Sequence, residues 1–177
     1  MKKILITGGA GFIGKHLIAK LKQENCEMMI ISRTNYKSQS DKQTWLKTNI
    51  KDIKLNIKKI AQFNPDICIH LAWKDIPDFR IATCIENLTS SISFLSEIIN
   101  NTKCKKFILG GSCLEYGNFL GERTEEQIIK NINYFTWAKN SLREWIEVEA
   151  IKNNLEYVWL RMFYVYGENQ RSNSLIP

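Results

Sequence analysis

Thr7-Gly8-Gly9-Ala10-Gly11-Phe12-Ile13-Gly14 follows the apolar run Lys3-Ile4-Leu5-Ile6 and precedes His16-Leu17-Ile18-Ala19-Lys20-Leu21. The order reads as strand, tight turn, helix. Glycine permits backbone angles that other residues avoid. It also lets the main chain approach a pyrophosphate, whose charge rests on the N-terminus of the following helix. A glycine-rich hairpin is the bland alternative. The strand before Gly8 and the helix after Gly14 are the context that favours the phosphate turn.

The chain has 177 residues, enough for one domain with a proper core, and its apolar share of 44% argues for a globular protein. No apolar run reaches the roughly 18 residues of a membrane span. Met1-Lys2-Lys3-Ile4 superficially suggests a signal peptide, but the glycines interrupt the apolar stretch and a patterned helix follows. Cys26, Cys68, Cys84, Cys104 and Cys113 form no Cys-x-x-Cys pair, and only His16 and His70 could add imidazole. We therefore expect no metal site, no disulfide framework, and thiols kept reduced in a cytoplasm. The net charge is +7, with lysines scattered rather than clustered. That pattern suits a solvated surface or an anionic nucleotide ligand, and it argues against a nucleic-acid partner or a membrane.

Strand and helix alternate along the rest of the chain. Residues 27–32 read as a second strand, 45–50 as a weaker third and 67–72 as a buried fourth. Residues 106–109 and 157–160 read as the last two. Helices are expected over 55–63, 80–101 and 135–153, with a polar loop over 37–44. A further loop carrying a short helical piece is expected over 117–133. Such alternation implies right-handed β-α-β units and a parallel sheet. Ligands bind beyond the carboxyl ends of such strands, so the segments after Ile6, Ile31, Ile69, Leu109 and Leu160 should carry the chemistry.

The motifs at those ends resemble, in order, those of the extended short-chain dehydrogenase/reductases. That group includes nucleotide-sugar epimerases, dehydratases and ketoreductases. The segment 7–14 is similar to the family's cofactor loop, with Gly8, Gly11, Phe12, Ile13 and Gly14 facing the cofactor. His70-Leu71-Ala72-Trp73 resembles a His-Leu-Ala-Ala segment, which brings Leu71, Ala72 and Trp73 to the cofactor's phosphates and ribose. Asn87, followed by Leu88-Thr89-Ser90, is similar to an Asn-x-x-Gly-Thr helix start, with Ser90 replacing the usual glycine. Gly111-Ser112-Cys113-Leu114-Glu115-Tyr116-Gly117 and Arg161-Met162-Phe163-Tyr164-Val165-Tyr166-Gly167 resemble the Ser-x-x-x-Tyr-Gly and Arg-x-x-x-Val-Tyr-Gly segments. The resemblance implies a Rossmann-type α/β fold, a doubly wound parallel sheet, over residues 1–167. Residues 168–177 would start a substrate lobe that is mostly absent.

In that family an acidic residue ending the second strand selects NAD through the ribose 2′-hydroxyl. Here Ser32 stands there, followed by Arg33. Arginine pairs with a 2′-phosphate where a carboxylate would repel it. NADP(H) is therefore favoured, with NAD(H) the other candidate. Asn49, beside Ile50, stands where an aspartate often meets the adenine amine, and an amide oxygen can still accept that hydrogen bond.

Catalysis in the family joins a serine, here Ser112, to a tyrosine four residues before a lysine. The serine meets the sugar group that exchanges hydride. The phenol moves a proton, and the lysine holds the nicotinamide ribose and lowers the phenol's pKa. This chain reads Tyr134-Phe135-Thr136-Trp137-Ala138-Lys139. Lys139 is in place, but Phe135 occupies the tyrosine position and has no proton to give. Losing a positioned acid/base typically lowers a rate about 100- to 10,000-fold. Tyr134 is rotated by about 100° round the helix, so its phenol points away from Lys139 unless the helix begins irregularly. The resemblance thus implies hydride transfer on a nucleotide-activated sugar, impaired at Phe135. The alternative is a non-catalytic dinucleotide-binding module. Ile81, Ile85, Leu88, Ile92, Leu95 and Ile99 form one apolar stripe, which suits either packing on the sheet or a homodimer.

Overall fold

The computed structural model describes residues 1–38, 40–117, 121–127 and 131–170. Six parallel strands form one sheet in the order β3-β2-β1-β4-β5-β6. They are β1 (Lys2–Thr7), β2 (Cys26–Ser32), β3 (Gln43–Lys47), β4 (Ile67–His70), β5 (Lys106–Ser112) and β6 (Glu156–Met162). The helices are α1 (Phe12–Leu21), α2 (Ile57–Phe63), α3 (Ile81–Asn101) and α4 (Tyr134–Asn153). This is the doubly wound sheet expected of the sequence.

Alternation along each strand divides the core. Ile4, Ile6, Met28, Ile30 and Ile69 pack with Ile18 of α1 on one face. Leu5, Met29, Ile31, Cys68, Phe107 and Leu109 pack on the other, with Ile60 of α2, Phe94, Leu95 and Ile98 of α3, and Leu142 and Ile146 of α4. A large aliphatic side chain removed fully from water contributes about 1.5–3 kcal/mol. On this scale the fully buried Leu5, Ile6, Ile30 and Leu109 hold the central strands firmly beneath the ligand-facing edge. The chain reverses between β1 and β4, which run parallel on opposite sides of the break in strand order. That switch point is where such sheets open a crevice.

Several expectations are corrected. The third strand runs over Gln43–Lys47 rather than 45–50, so Gln43 and Thr44 leave the expected loop and join the ladder to β2. It stops early because Asn49 caps a 3-10 turn over Ile50–Asn56, its side chain accepting from the Lys51 amide at 3.2 Å. The α-helix expected over 55–63 therefore begins only at Ile57. The fourth strand ends at His70, before Leu71 and Ala72. Among the described residues of the 117–133 loop no helix forms. Residues 118–120 and 128–130 of that loop, and 171–177 of the expected lobe, lie outside the described residues.

Of the α3 stripe, Leu88 and Leu95 enter the core, whereas Ile81 and Ile85 stay exposed. No described helix is long and apolar enough to cross a membrane.

Candidate functional site

The loop after β1 bends back on itself. Gly11 donates its amide to the Gly8 carbonyl at 3.0 Å. Gly8 sits at φ +72°, and a Cβ there would lie 2.7 Å from the Leu71 carbonyl carbon. Only glycine suits both the angle and the approach of β4. At Gly14 an added Cβ would collide with the Gly8 carbonyl oxygen, so α1 can start this close beneath the turn only with glycine there. Gly11 is the N-cap of α1, with no side-chain cap and no acidic residue in the first turn. The unpaired amides and the positive end of the helix dipole are left for an anion.

That turn forms one wall of a cleft of about 440 Å³ at the carboxyl ends of β1, β2 and β4. The other walls bring together the predicted Ser32, Arg33, Asn49, Ile50, Leu71, Ala72, Trp73 and Asn87. Gly8 and Gly11 line it, whereas Phe12, Ile13 and Gly14 belong to α1, where Phe12 meets the His16 ring edge-on. Arg33 is exposed at the rim and Ser32 is buried, its hydroxyl accepting from the Thr34 amide at 3.2 Å.

Sequence reading missed several contributors to this cleft, Tyr36, Lys74 and Glu86 among them. Tyr36, just before the expected polar loop, stacks on Trp45 at 4.4 Å between centroids and joins the lining. Lys74 and Glu86 also line it and form a 2.9 Å ion pair. Nothing local in sequence links Tyr36 to Trp45 or Lys74 to Glu86, so no periodicity could have announced them.

Asn87 is buried and fully engaged. Its oxygen accepts from the Lys74 amide at 2.6 Å, and its nitrogen donates to the carbonyls of Lys74 at 3.1 Å and Thr83 at 2.9 Å. Its role is to pin the segment after β4 to α3. His70 is likewise committed to structure. Its ring nitrogens hydrogen-bond Thr7 Oγ1 at 2.8 Å and Ser91 Oγ at 3.0 Å. Burial, aided by the Lys139 charge, pushes its pKa down to about 3.

Ser112, Phe135 and Lys139 do not line this cleft. Ser112 closes a 3-10 turn: its hydroxyl accepts from Leu114 at 3.2 Å while its amide donates to Glu115 Oε1 at 2.7 Å. The signal was present as Ser112-Cys113-Leu114-Glu115, the Ser-x-x-Glu spacing of a capping box. Phe135 is buried, stacked on Phe79 at 4.7 Å and edge-on to Trp73 at 5.7 Å. Lys139 is buried, donating to the Gly110 carbonyl at 2.6 Å, and burial pushes its pKa down to about 7. Tyr134 is exposed at the first turn of α4, where Asn133 caps the helix regularly. The irregular helix start that would let Tyr134 substitute is therefore not seen.

The pattern of the NAD dependent epimerase/dehydratase family matches residues 4–177. The chain belongs to this family. A dTDP-D-glucose 4,6-dehydratase of Dictyostelium discoideum is 28% identical over 100% of this chain and 47% of its own length. A dTDP-4-dehydro-6-deoxyglucose reductase of Escherichia coli is 25% identical over 95% of this chain and 57% of its own. Among solved structures, the UDP-glucose 4-epimerase of Thermotoga maritima with UDP-glucose superimposes with a TM-score of 0.83 at 24% identity, covering 96% of this chain and 58% of that one. The UDP-glucuronic acid 4-epimerase of Bacillus cereus in complex with NAD gives 0.81 at 24% identity, over 96% and 59%. At these identities the structural likeness speaks for the fold. The epimerase/dehydratase chain described here spans about half the length of the curated relatives it matches.

Among the described residues no group of three or more His, Cys, Asp or Glu could hold a metal ion. The cysteines are free, and burial raises the pKa of each thiol.

Proposed function

We propose that this chain is the dinucleotide-binding half of a protein that handles a nucleotide-activated sugar by hydride transfer. The carrying observation is the uncapped start of α1 beside Gly8 and Gly11, opening on the cleft at the sheet's switch point. The amides of the turn would hold the diphosphate, Arg33 and Ser32 the adenosine ribose, and Asn49 and Ile50 the adenine. Bound nicotinamide supplies a hydride in this family. Ser112 and Lys139 stand at the family's carbonyl-polarising and cofactor-positioning places, but Phe135 supplies no proton, so hydride chemistry is impaired. A non-catalytic dinucleotide-binding module is the second reading, favoured by Phe135 and by the burial of Lys139. Exposed Ile81, Ile85 and Trp137 on α3 and α4 support a homodimer.

Calorimetric titration with NAD(H) and NADP(H) tests the reading. Saturable one-site binding is expected, and heats of dilution alone with all of them would sink it. Arg33 favours NADP(H), because a guanidinium pairs with the extra phosphate. Arg33→Ala is expected to weaken NADP(H) about tenfold or more, on the scale of about 1.5–3 kcal/mol for a charge-assisted hydrogen bond, and to leave NAD(H) nearly unchanged. Equal losses for both dinucleotides would place Arg33 outside the 2′-phosphate site.

A further inference from the structure

Trp73 borders both halves of the expected site. Trp73 lines the cleft, and the ammonium of Lys139 lies 3.8 Å from its ring centroid. That distance is a close cation–π contact. Phe135 meets the same indole edge-on and is itself backed by Phe79. Lys139 is 6% exposed and Phe135 4%, so neither presents a surface to a ligand. The ammonium is already engaged, by the indole face and by the Gly110 carbonyl.

The indole is also held from behind. Asn87 fixes both the amide and the carbonyl of Lys74, the next residue in the chain. Among the described residues, Trp73 Nε1 is buried without an acceptor. Leaving such a donor unpaired costs about 1–3 kcal/mol, so the aromatic packing of Trp73 outweighs that penalty.

The residues present therefore fit one part of a dinucleotide and not the other. The turn amides, Ser32, Arg33, Asn49 and Ile50 fit an adenosine diphosphate group. On the nicotinamide side, the lysine that should meet the second ribose is covered, and the phenol is absent. We infer that Trp73 closes the cleft beyond the diphosphate, so that this site recognises an adenosine 5′-diphosphate group and gains little from a nicotinamide riboside attached to it. The inference rests on the reading of the cleft as a dinucleotide site.

Calorimetry of the full chain with ADP and with NAD+ tests it without any variant. The expected result is a dissociation constant for NAD+ within about fivefold of that for ADP, because only groups that reach partners add affinity. NAD+ binding more than about fivefold tighter than ADP would overturn the inference and leave the dinucleotide reading standing. Binding of neither would overturn the dinucleotide reading itself. Trp73→Ala adds a second measurement. Uncovering Lys139 is expected to tighten NAD+ about tenfold while ADP changes by less than about threefold. An unchanged ratio of the two affinities in a folded Trp73→Ala protein would count against Trp73 as the barrier.

Discussion

Arg161→Met is expected to destabilise the protein by about 3–5 kcal/mol, the scale seen when one partner of a buried ion pair is removed. The reason lies in Glu115, whose side chain is fully buried. Its carboxylate accepts from the Ser112 amide at 2.7 Å and from Trp159 Nε1 at 2.9 Å, and pairs with Arg161 Nε at 3.4 Å. Arg161 in turn donates to Tyr116 Oη at 3.1 Å and lies over the Tyr116 ring at 4.8 Å. Removing the guanidinium strands a negative charge beneath the end of β5. The amide and the indole N–H that remain cannot neutralise it. Urea denaturation should show a lower midpoint with an unchanged slope, the signature of lost stability without a change in compactness. Combining it with Glu115→Gln removes the stranded charge, and the double variant is expected to recover part of the loss. A loss below about 1 kcal/mol for Arg161→Met would show that the pair is screened like a surface one. The same network holds the turn that carries Ser112, so the variant also tests whether that hydroxyl depends on Glu115 for its place.

This network shows what the sequence could and could not disclose. The strand-turn-helix start was readable because everything it needs is local: an apolar strand, glycines at 8, 11 and 14, and a helix directly after. The parallel sheet followed from alternation, and the strand-end rule pointed to Ser32, Arg33, Leu71 and Ala72, which meet in one cleft. Boundaries failed where a side chain competed with the ladder, as Asn49 does by capping the turn that ends β3. Glu115 sat inside a recognised motif, yet its partners Trp159 and Arg161 lie 44 and 46 residues away. Trp73 and Lys139 are farther apart still. Their contact arises only when the segment after β4 meets α4, and no periodicity encodes that. Phe135 was legible as a missing phenol. That it would stack on Phe79 and back the indole was not.

Lys139→Met is expected to flatten the rise of stability with pH that the wild-type protein shows above neutrality. Burial pushes the Lys139 pKa from its ordinary 10.5 down to about 7, and only the charge of Glu115 opposes that. Between these values the unfolded chain binds a proton that the folded chain has released. Unfolding free energy then climbs with pH by about 1.4 kcal/mol per unit, and the climb ends near the unfolded value. His70 adds a second limb in the acid range. Its folded pKa of about 3 lies below its ordinary 6.5. Its contribution is complete above the unfolded value and is lost as pH falls from there. The two limbs are linked, because the Lys139 charge is one cause of the low His70 pKa. Taking that charge away should therefore shorten the acid limb as well as erase the alkaline one. Unfolding free energies from urea titrations at pH 5, 7 and 9 would distinguish the outcomes. Parallel profiles for the wild type and Lys139→Met from pH 7 to 9 would mean that the ammonium stays charged under the indole, with a pKa near that of an exposed lysine. A flat Lys139→Met profile beside a climbing wild type would show that Trp73 and Phe135 hold an amine that is half neutral at physiological pH.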